Sequence, residues 1–186
     1  VIYEQRNELL ESEGVGQTVA DIREDVFAEL VRRHVPQNSI DDQWNIAALE
    51  KELESEFGLK LDLQGWLKEQ EEADADDVLA RVEDAAARLF REKEALLGDE
   101  TMRSLEKHVM LSVVDNCWKE HLTSMDYLRQ GIYLRGYAQK QPKQEFKRES
   151  FLLFQQMLES IKHEVIQLLA RVRIRSEEEV QALEAQ

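Results

Sequence analysis

In the stretch RGYAQKQPK, residues 135–143, polar and turn-forming residues separate two long apolar stripes. The stripe before it has apolar side chains at alternating spacings of three and four, with one histidine among them: Leu111, Val114, Trp118, His121, Met125, Leu128 and Ile132. The stripe after it keeps the same spacing without a break: Phe151, Phe154, Leu158, Ile161, Val165, Leu168 and Val172. Such a stripe faces a partner helix along its whole length. The sequence therefore predicts two long helices that pair as an antiparallel hairpin.

The predicted hairpin carries its connecting loop far from its other end. The first helix is expected over residues 101–134, and these 34 residues span roughly 50 Å as a helix. Gly136 and Pro142 are turn residues, and Pro142 suits the first turn of the returning helix. Tyr137 is the one aromatic residue of the loop, and three basic residues flank it: Arg135, Lys140 and Lys143.

Composition favours helices elsewhere as well. The chain has 186 residues, of which 34% are charged, with only seven glycines and two prolines, so we expect an all-α fold. It contains no run of 18 uncharged apolar residues and no signal sequence, so a cytosolic location is expected. The single cysteine, Cys117, excludes a disulfide within the chain and is expected to be a buried thiol.

Charge is distributed unevenly along the chain. Residues 1–100 hold 11 Lys and Arg against 27 Asp and Glu, whereas residues 129–148 hold six basic residues against one acidic residue. The loop is thus a basic island on an acidic protein. It could attract phosphates, anionic lipid or an acidic protein surface, or its charges could simply keep the loop solvated.

The first hundred residues predict shorter helices that form a smaller acidic lobe. Residues 1–12 have no capping residue before them, so we expect them to be the tail of a helix that begins upstream in a longer protein. Thr18 is predicted to open a helix that ends near His34, and Ser39 with Asp42 to open one that carries Trp44 and ends at Gly58.

After Gly58 the pattern becomes less regular. A connector over 59–63 and a short helix around Trp66 are expected. A helix over 77–97 should then stop at Gly98, and Ser176 should open a last helix. Residues 69–77 hold six acidic residues, but no glycine stands where a calcium loop needs its turn, so they predict a solvated linker or helix entry.

No arrangement of residues in this chain predicts chemistry. There is no glycine-rich phosphate cradle, and the four histidines have no partner at metal-ligand spacing. His121 lies within the apolar stripe and is interpreted as a core histidine. We expect no active site, no cofactor and no metal ion in this chain, and no nucleic-acid binding, because a lone loop aromatic is a weak stacking platform on an acidic protein.

Several segments together resemble the SecA family, the ATPase motors of bacterial protein secretion. They are WKEHL at 118–122, MDYLRQGI at 125–132, LRGYAQK at 134–140, PKQEFKRESF at 142–151, VIYEQRN at 1–7 and IREDV at 22–26. The resemblance covers essentially the whole chain. It implies that 1–29 are the end of the long helical scaffold helix with the helix that follows, 30–98 the helical wing, 99–175 the two-helix finger, and 176–186 the start of a C-terminal linker.

The resemblance also implies a function for the loop. In the family, the finger reaches the cytoplasmic mouth of the SecY channel, its tyrosine contacts the unfolded preprotein, and the region restrains the ATPase. Tyr137 is then the polypeptide-contact residue, and the rest of the finger loop is Arg135, Gly136, Ala138, Gln139, Lys140 and Lys143. ATP and Mg²⁺ would bind the motor domains of the longer protein and Zn²⁺ its C-terminal tail. That protein would lie peripherally on the cytoplasmic face of the inner membrane, with a homodimer as one expected form.

Two other functions are left open by the residues. A free-standing all-α interaction module would recruit a partner through its acidic lobe or the outer faces of the hairpin. A pair of helices lying on a membrane surface is disfavoured, because the two apolar stripes match each other and should be buried against one another.

Overall fold

The computed structural model describes residues 14–37, 43–70, 72–132, 134 and 141–173, and within these ranges it contains helices and no β-strand. In chain order the α-helices are α1 (Val15–His34), α2 (Ile46–Phe57), α3 (Leu63–Glu69), α4 (Ala75–Leu97), α5 (Asp99–Gly131) and α6 (Pro142–Arg171). The predicted all-α class is confirmed.

Helix α1 begins earlier than its capping signal suggested. Its first residue is Val15, and Thr18 lies inside the first turn, where its hydroxyl donates to the Gly14 carbonyl at 3.3 Å. The expected start at Thr18 was therefore wrong. Val15 is 1% exposed, and burying its side chain stabilises a further turn that has no side-chain cap. The predicted end at His34 is confirmed.

Helix α2 begins later than expected. Ser39 and Asp42 lie outside the described residues, and Trp44 precedes the helix instead of lying within it. The observed cap is Asn45, whose side-chain oxygen accepts from the Ala48 amide at 3.2 Å.

Two glycines end their helices as predicted. Gly58 follows α2 with φ 67° and ψ 18°, the left-handed conformation that most side chains disfavour. Gly98 follows α4 with φ 83°. Residues 58–62 form a connector, and the short helix predicted around Trp66 is α3.

The acidic segment serves as the entry to α4, two residues before the predicted start at residue 77. Asp74 accepts hydrogen bonds from the amides of Asp76 and Asp77 at 2.9 and 3.0 Å. The Asp77 carboxylate in turn accepts from the Asp74 amide at 3.0 Å, which completes a capping box. Carboxylates in a first turn also interact favourably with the helix dipole.

The chain divides into two compact units. In the described chain, the larger unit comprises residues 14–106 and 166–173. Its core is built from side chains less than 2% exposed, among them Phe27, Leu49, Leu53, Phe57, Leu63, Met102, Ile166 and Leu169. Phe27 on α1 and Phe57 on α2 have ring centroids 4.9 Å apart, and α1 also packs along α4.

Lys93 of α4 binds backbone carbonyls at the C-terminal end of α6 within the larger unit. Its ammonium donates to the carbonyls of Leu169 and Val172 at 2.8 and 2.7 Å, and also to that of Ala170. Arg171 donates to the Ser55 carbonyl at 3.0 Å. Two cations thus bind backbone carbonyls, a common solution for the unpaired oxygens of a helix end.

Arg103 on α5 forms ion pairs with three carboxylates of the larger unit. Its guanidinium lies 3.0 Å from Glu94, 3.4 Å from Asp99 and 2.9 Å from Glu106. It also lies against α1, since a Cβ placed on Gly16 would be 1.6 Å from Nη1. Any larger residue at position 16 must displace the guanidinium.

The smaller unit comprises residues 107–165, and its buried residues coincide only in part with the predicted stripes, which share His121, Ile132 and Val165 with them. They are Val109, Met110, Val113, Cys117, His121, Ile132, Met157 and Val165. Of the predicted stripe, Phe151 is 60% exposed, and Trp118 is half-buried while its neighbour Cys117 is buried. Cys117 and Trp118 lie about 100° apart around the helix, and His121 and Ile132 of the predicted stripe are buried, so the buried face overlaps the stripe and extends to one side of it.

None of the helices in the described ranges combines the length and the apolar run that crossing a bilayer requires.

Removing the cap of α4 tests the role of the acidic segment. Asp74→Ala deletes the acceptor for two amides and is expected to lower the free energy of unfolding by about 1 kcal/mol in urea denaturation. Asp74→Asn keeps an acceptor oxygen and should lower the free energy of unfolding by only a few tenths of a kcal/mol. Equal losses for both variants would mean that the negative charge, not the hydrogen bond, stabilises the helix.

Filling the space beneath Arg103 tests the packing of α1. Gly16→Ala is expected to destabilise the protein by about 1 to 3 kcal/mol, because the added methyl displaces a guanidinium that contacts three carboxylates. Gly131→Ala is the control, since its Cβ meets nothing within 4 Å, and it should be neutral or stabilise by up to about 1 kcal/mol. If thermal unfolding shows the same effect for both, the contact does not constrain position 16.

Candidate functional site

The predicted site is the loop that joins α5 to α6. Six of its seven predicted residues lie outside the described part of the chain: Arg135, Gly136, Tyr137, Ala138, Gln139 and Lys140. The seventh, Lys143, is exposed in the first turn of α6. The site is therefore characterised by the helix ends that hold it.

Both ends of the loop are held by helices. Helix α5 ends at Gly131, followed by the buried Ile132, which is 5% exposed, whereas Leu134 is 72% exposed. Helix α6 begins at Pro142, as predicted. The carbonyl of Gln141 accepts from the amides of Gln144 and Glu145, both at 3.1 Å.

The basic island is weaker than the count over residues 129–148 suggested. Arg129 pairs with Asp126 at 3.2 Å. Arg148 pairs with Glu145 at 2.9 Å and lies 3.8 Å from Glu149. Asp126 and Glu149 fall just outside the counted window. The spacing of three between Asp126 and Arg129 was the signal that could have revealed this pairing.

His121 is a core histidine, as predicted. It is 9% exposed, and its ring stacks on Trp118 at 5.5 Å and meets the edge of Phe154 at 5.9 Å. Burial lowers the pKa of His121, which favours the neutral imidazole at neutral pH. The contact with Phe154 joins α5 to α6.

Cys117 is the buried thiol that was predicted. Burial, with smaller contributions from the carboxylates of Glu164 and Glu120, raises its pKa to about 11. The thiol therefore stays protonated and unreactive at neutral pH. Cys117 interacts with Glu164, while His121, later on α5, meets Phe154, earlier on α6.

Three large apolar side chains near the loop stay open to solvent. Tyr127 and Leu134 are each 72% exposed, and Phe151 is 60% exposed. The expectation that Phe151 lies in the seam was wrong. Met157, which the stripe did not include, is buried in the same unit. The run FLLF at 151–154 presents apolar residues on more than one side of α6, so spacing alone could not choose its buried face.

The described residues provide no group of three His, Cys, Asp or Glu side chains that could hold a metal ion. The site can make van der Waals contacts, hydrogen bonds and charge contacts through an aromatic ring, amides and ammonium groups.

Comparison with known proteins gives one consistent result. The family model described as the SecA wing and scaffold domain matches residues 1–173. The protein translocase subunit SecA of Stenotrophomonas maltophilia (strain R551-3) is 62% identical over 185 residues, which are 100% of this chain and 20% of the relative. The proteins of the same name from Xanthomonas oryzae pv. oryzae (strain PXO99A) and Xanthomonas campestris pv. campestris (strain B100) are each 61% identical over 186 residues, with the same coverage.

The chain spans about a fifth of the length of these curated relatives. The matched region includes both long helices and all the helices of the larger unit that precede them. By sequence, this chain belongs to the SecA wing and scaffold domain family.

Proposed function

We propose that this chain is the wing and scaffold part of a protein-export translocase, and that the loop at 135–143 contacts the polypeptide being moved. The observation that carries the proposal is the identity of 61–62%, over the whole chain, to proteins named protein translocase subunit SecA. Support also comes from the contact between His121 and Phe154, which connects the helix before the loop to the helix after it.

The helix pair suits the task of presenting a loop. Within the smaller unit, residues 107–131 of α5 form 25 residues of continuous helix, roughly 37 Å long. His121 of α5, stacked on Trp118 of the same helix, contacts Phe154 of α6 and so connects the two helices. In the proposed role, the helix pair presents the loop to a partner and transmits a force along the helix axis.

Tyr137 is the residue that we assign to polypeptide contact. A phenol ring offers an apolar face and a hydroxyl, so it can pack on many side chains and hydrogen-bond to peptide groups without requiring a sequence. A machine that moves varied chains needs such contacts. The exposed Lys143 adds a positive charge beside the loop.

The remaining roles follow from the family resemblance. We propose that the two-helix finger engages the SecY channel and restrains the ATPase, with this chain packed on the motor domains of the longer protein. ATP with Mg²⁺ is assigned to those domains and Zn²⁺ to the C-terminal tail, so no step proposed for these residues uses them. The longer protein would work at the cytoplasmic face of the inner membrane.

A free-standing interaction module has less support. The relatives that match this chain over its full length are about five times longer than it, since the chain covers 20% of each. A part of a larger machine accounts for that coverage more simply.

Site-specific crosslinking tests the loop assignment. A photoreactive phenylalanine analogue at position 137 of the full-length protein is expected to crosslink to a secretory chain stalled in transit. The same analogue at position 127 is the control, because Tyr127 is also an exposed tyrosine but lies outside the loop. It should give several-fold less product. Crosslinks from position 137 that form only within the protein would make the helix pair a structural brace.

Mutation separates the contact from the fold. Tyr137→Ala is expected to reduce the rate of protein translocation about tenfold or more while leaving the melting temperature unchanged, because it removes a contact to substrate. Tyr127→Ala should leave both quantities near the wild-type values. Unchanged translocation by the Tyr137 variant would remove that residue from the proposed contact.

A further inference from the structure

Glu106 is a buried carboxylate at the point where three helices of the larger unit meet. It is 2% exposed, and its Oε2 lies 2.9 Å from Nη1 of Arg103. The angle does not allow a hydrogen bond there, so this oxygen has no hydrogen-bond partner in the described part of the chain. A buried carboxylate oxygen without a hydrogen bond favours the neutral acid.

The charges around Glu106 do not balance when it is ionised. The groups that act on it are Arg103 and Asp99 of its own helix, Glu94 of α4 and Arg23 of α1. With Glu106 ionised, three carboxylates face two guanidinium groups and leave a net charge of −1. With Glu106 protonated, two carboxylates face two cations and the cluster is neutral.

The guanidinium shared by these carboxylates also contacts more than one helix. Arg103 on α5 contacts Glu94 in the last turn of α4 and lies directly against Gly16 in the first turn of α1. Whatever changes the position of this guanidinium therefore changes the packing of all three helix ends.

We infer that Glu106 is a proton-operated latch: when its carboxyl is protonated the first turns of α1 and α5 and the last turn of α4 are held together, and ionisation loosens them. The inference concerns the larger unit alone and is independent of the proposed function of the loop. Its ligand is the proton.

The direction of the effect follows from burial. Burial, the largest cause, together with the charges of Glu94 and Asp99 and against the opposing effects of Arg103 and Arg23, raises the pKa of Glu106 from an ordinary value of 4.5 to about 7. The folded protein thus binds the proton more tightly than the unfolded chain does. The stability that protonation contributes is complete below about pH 4.5, declines as the pH rises, and is lost above about pH 7.

Hydrogen exchange in the full-length protein, measured at about pH 6 and about pH 8 on wild type and Glu106→Gln, tests the latch. Because the two proteins are compared at the same pH, the pH dependence of the intrinsic exchange rate cancels from the ratio of their rates. At the higher pH, the amides of residues 18–20 and 102–106, the first in each helix that have a backbone acceptor, are expected to exchange about tenfold more slowly in the glutamine variant, which keeps the neutral form. At the lower pH the two proteins should agree within about twofold.

Glu100→Gln is the matched control, because Glu100 lies on the same helix but is exposed and should change neither rate. An equal ratio of rates at both pH values would overturn the inference. So would faster exchange of Glu106→Gln at the higher pH, since the ion pair with Arg103 would then be what holds the helices.

A measurement on the wild type keeps the inference testable if the glutamine variant does not fold. The carboxyl carbon of Glu106, followed by NMR with ¹³C-labelled glutamate, is expected to titrate with a midpoint near 7, and the amides of Gly16 and Arg103 should shift with the same midpoint. A midpoint near 4.5, or amide shifts that do not follow it, would contradict the latch.

Discussion

Burial of one face of α1 is the constraint on which the larger unit depends. Val15, Val19, Phe27 and Val31 are each 1% exposed. Full burial of such side chains contributes about 1.5 to 3 kcal/mol each, more than any one helix cap in this chain. This explains why α1 begins at Val15 without a side-chain cap. The same buried face places Phe27 against Phe57, and this contact packs α2 on α1.

Much of the helical architecture could be predicted, because its signals are local. Gly58 and Gly98 end helices through backbone conformations that glycine adopts easily. Pro142 suits the first position of α6, because an amide there would have no acceptor within the helix and the ring fixes a helical φ. The errors arose where tertiary packing competes with a local signal. The burial of Val15 outweighed the capping signal at Thr18. Phe151 was assigned to the seam because the run FLLF at 151–154 places apolar residues on more than one side of α6.

The position of the loop that was taken as the candidate site could be predicted, but not the pairing of the charges beside it. The break between the two stripes indicated the loop, and the observed helix ends at Gly131 and Pro142 enclose it. The count of basic residues overstated the local charge, because Arg129 and Arg148 pair with carboxylates one turn away or adjacent. The contacts of Glu106 could not be predicted, because they depend on how α1, α4 and α5 pack.

The attachment of α6 in the larger unit differs in kind from a surface ion pair. Lys93 binds three backbone carbonyls, and burial lowers its pKa to about 8. Dissolved salt weakens attraction between opposite surface charges over a distance of about 8 to 10 Å. A half-buried ammonium held by neutral carbonyl dipoles at hydrogen-bond distance is affected much less. This connection should therefore keep its strength in concentrated electrolyte, where the exposed ion pairs along the helices no longer contribute.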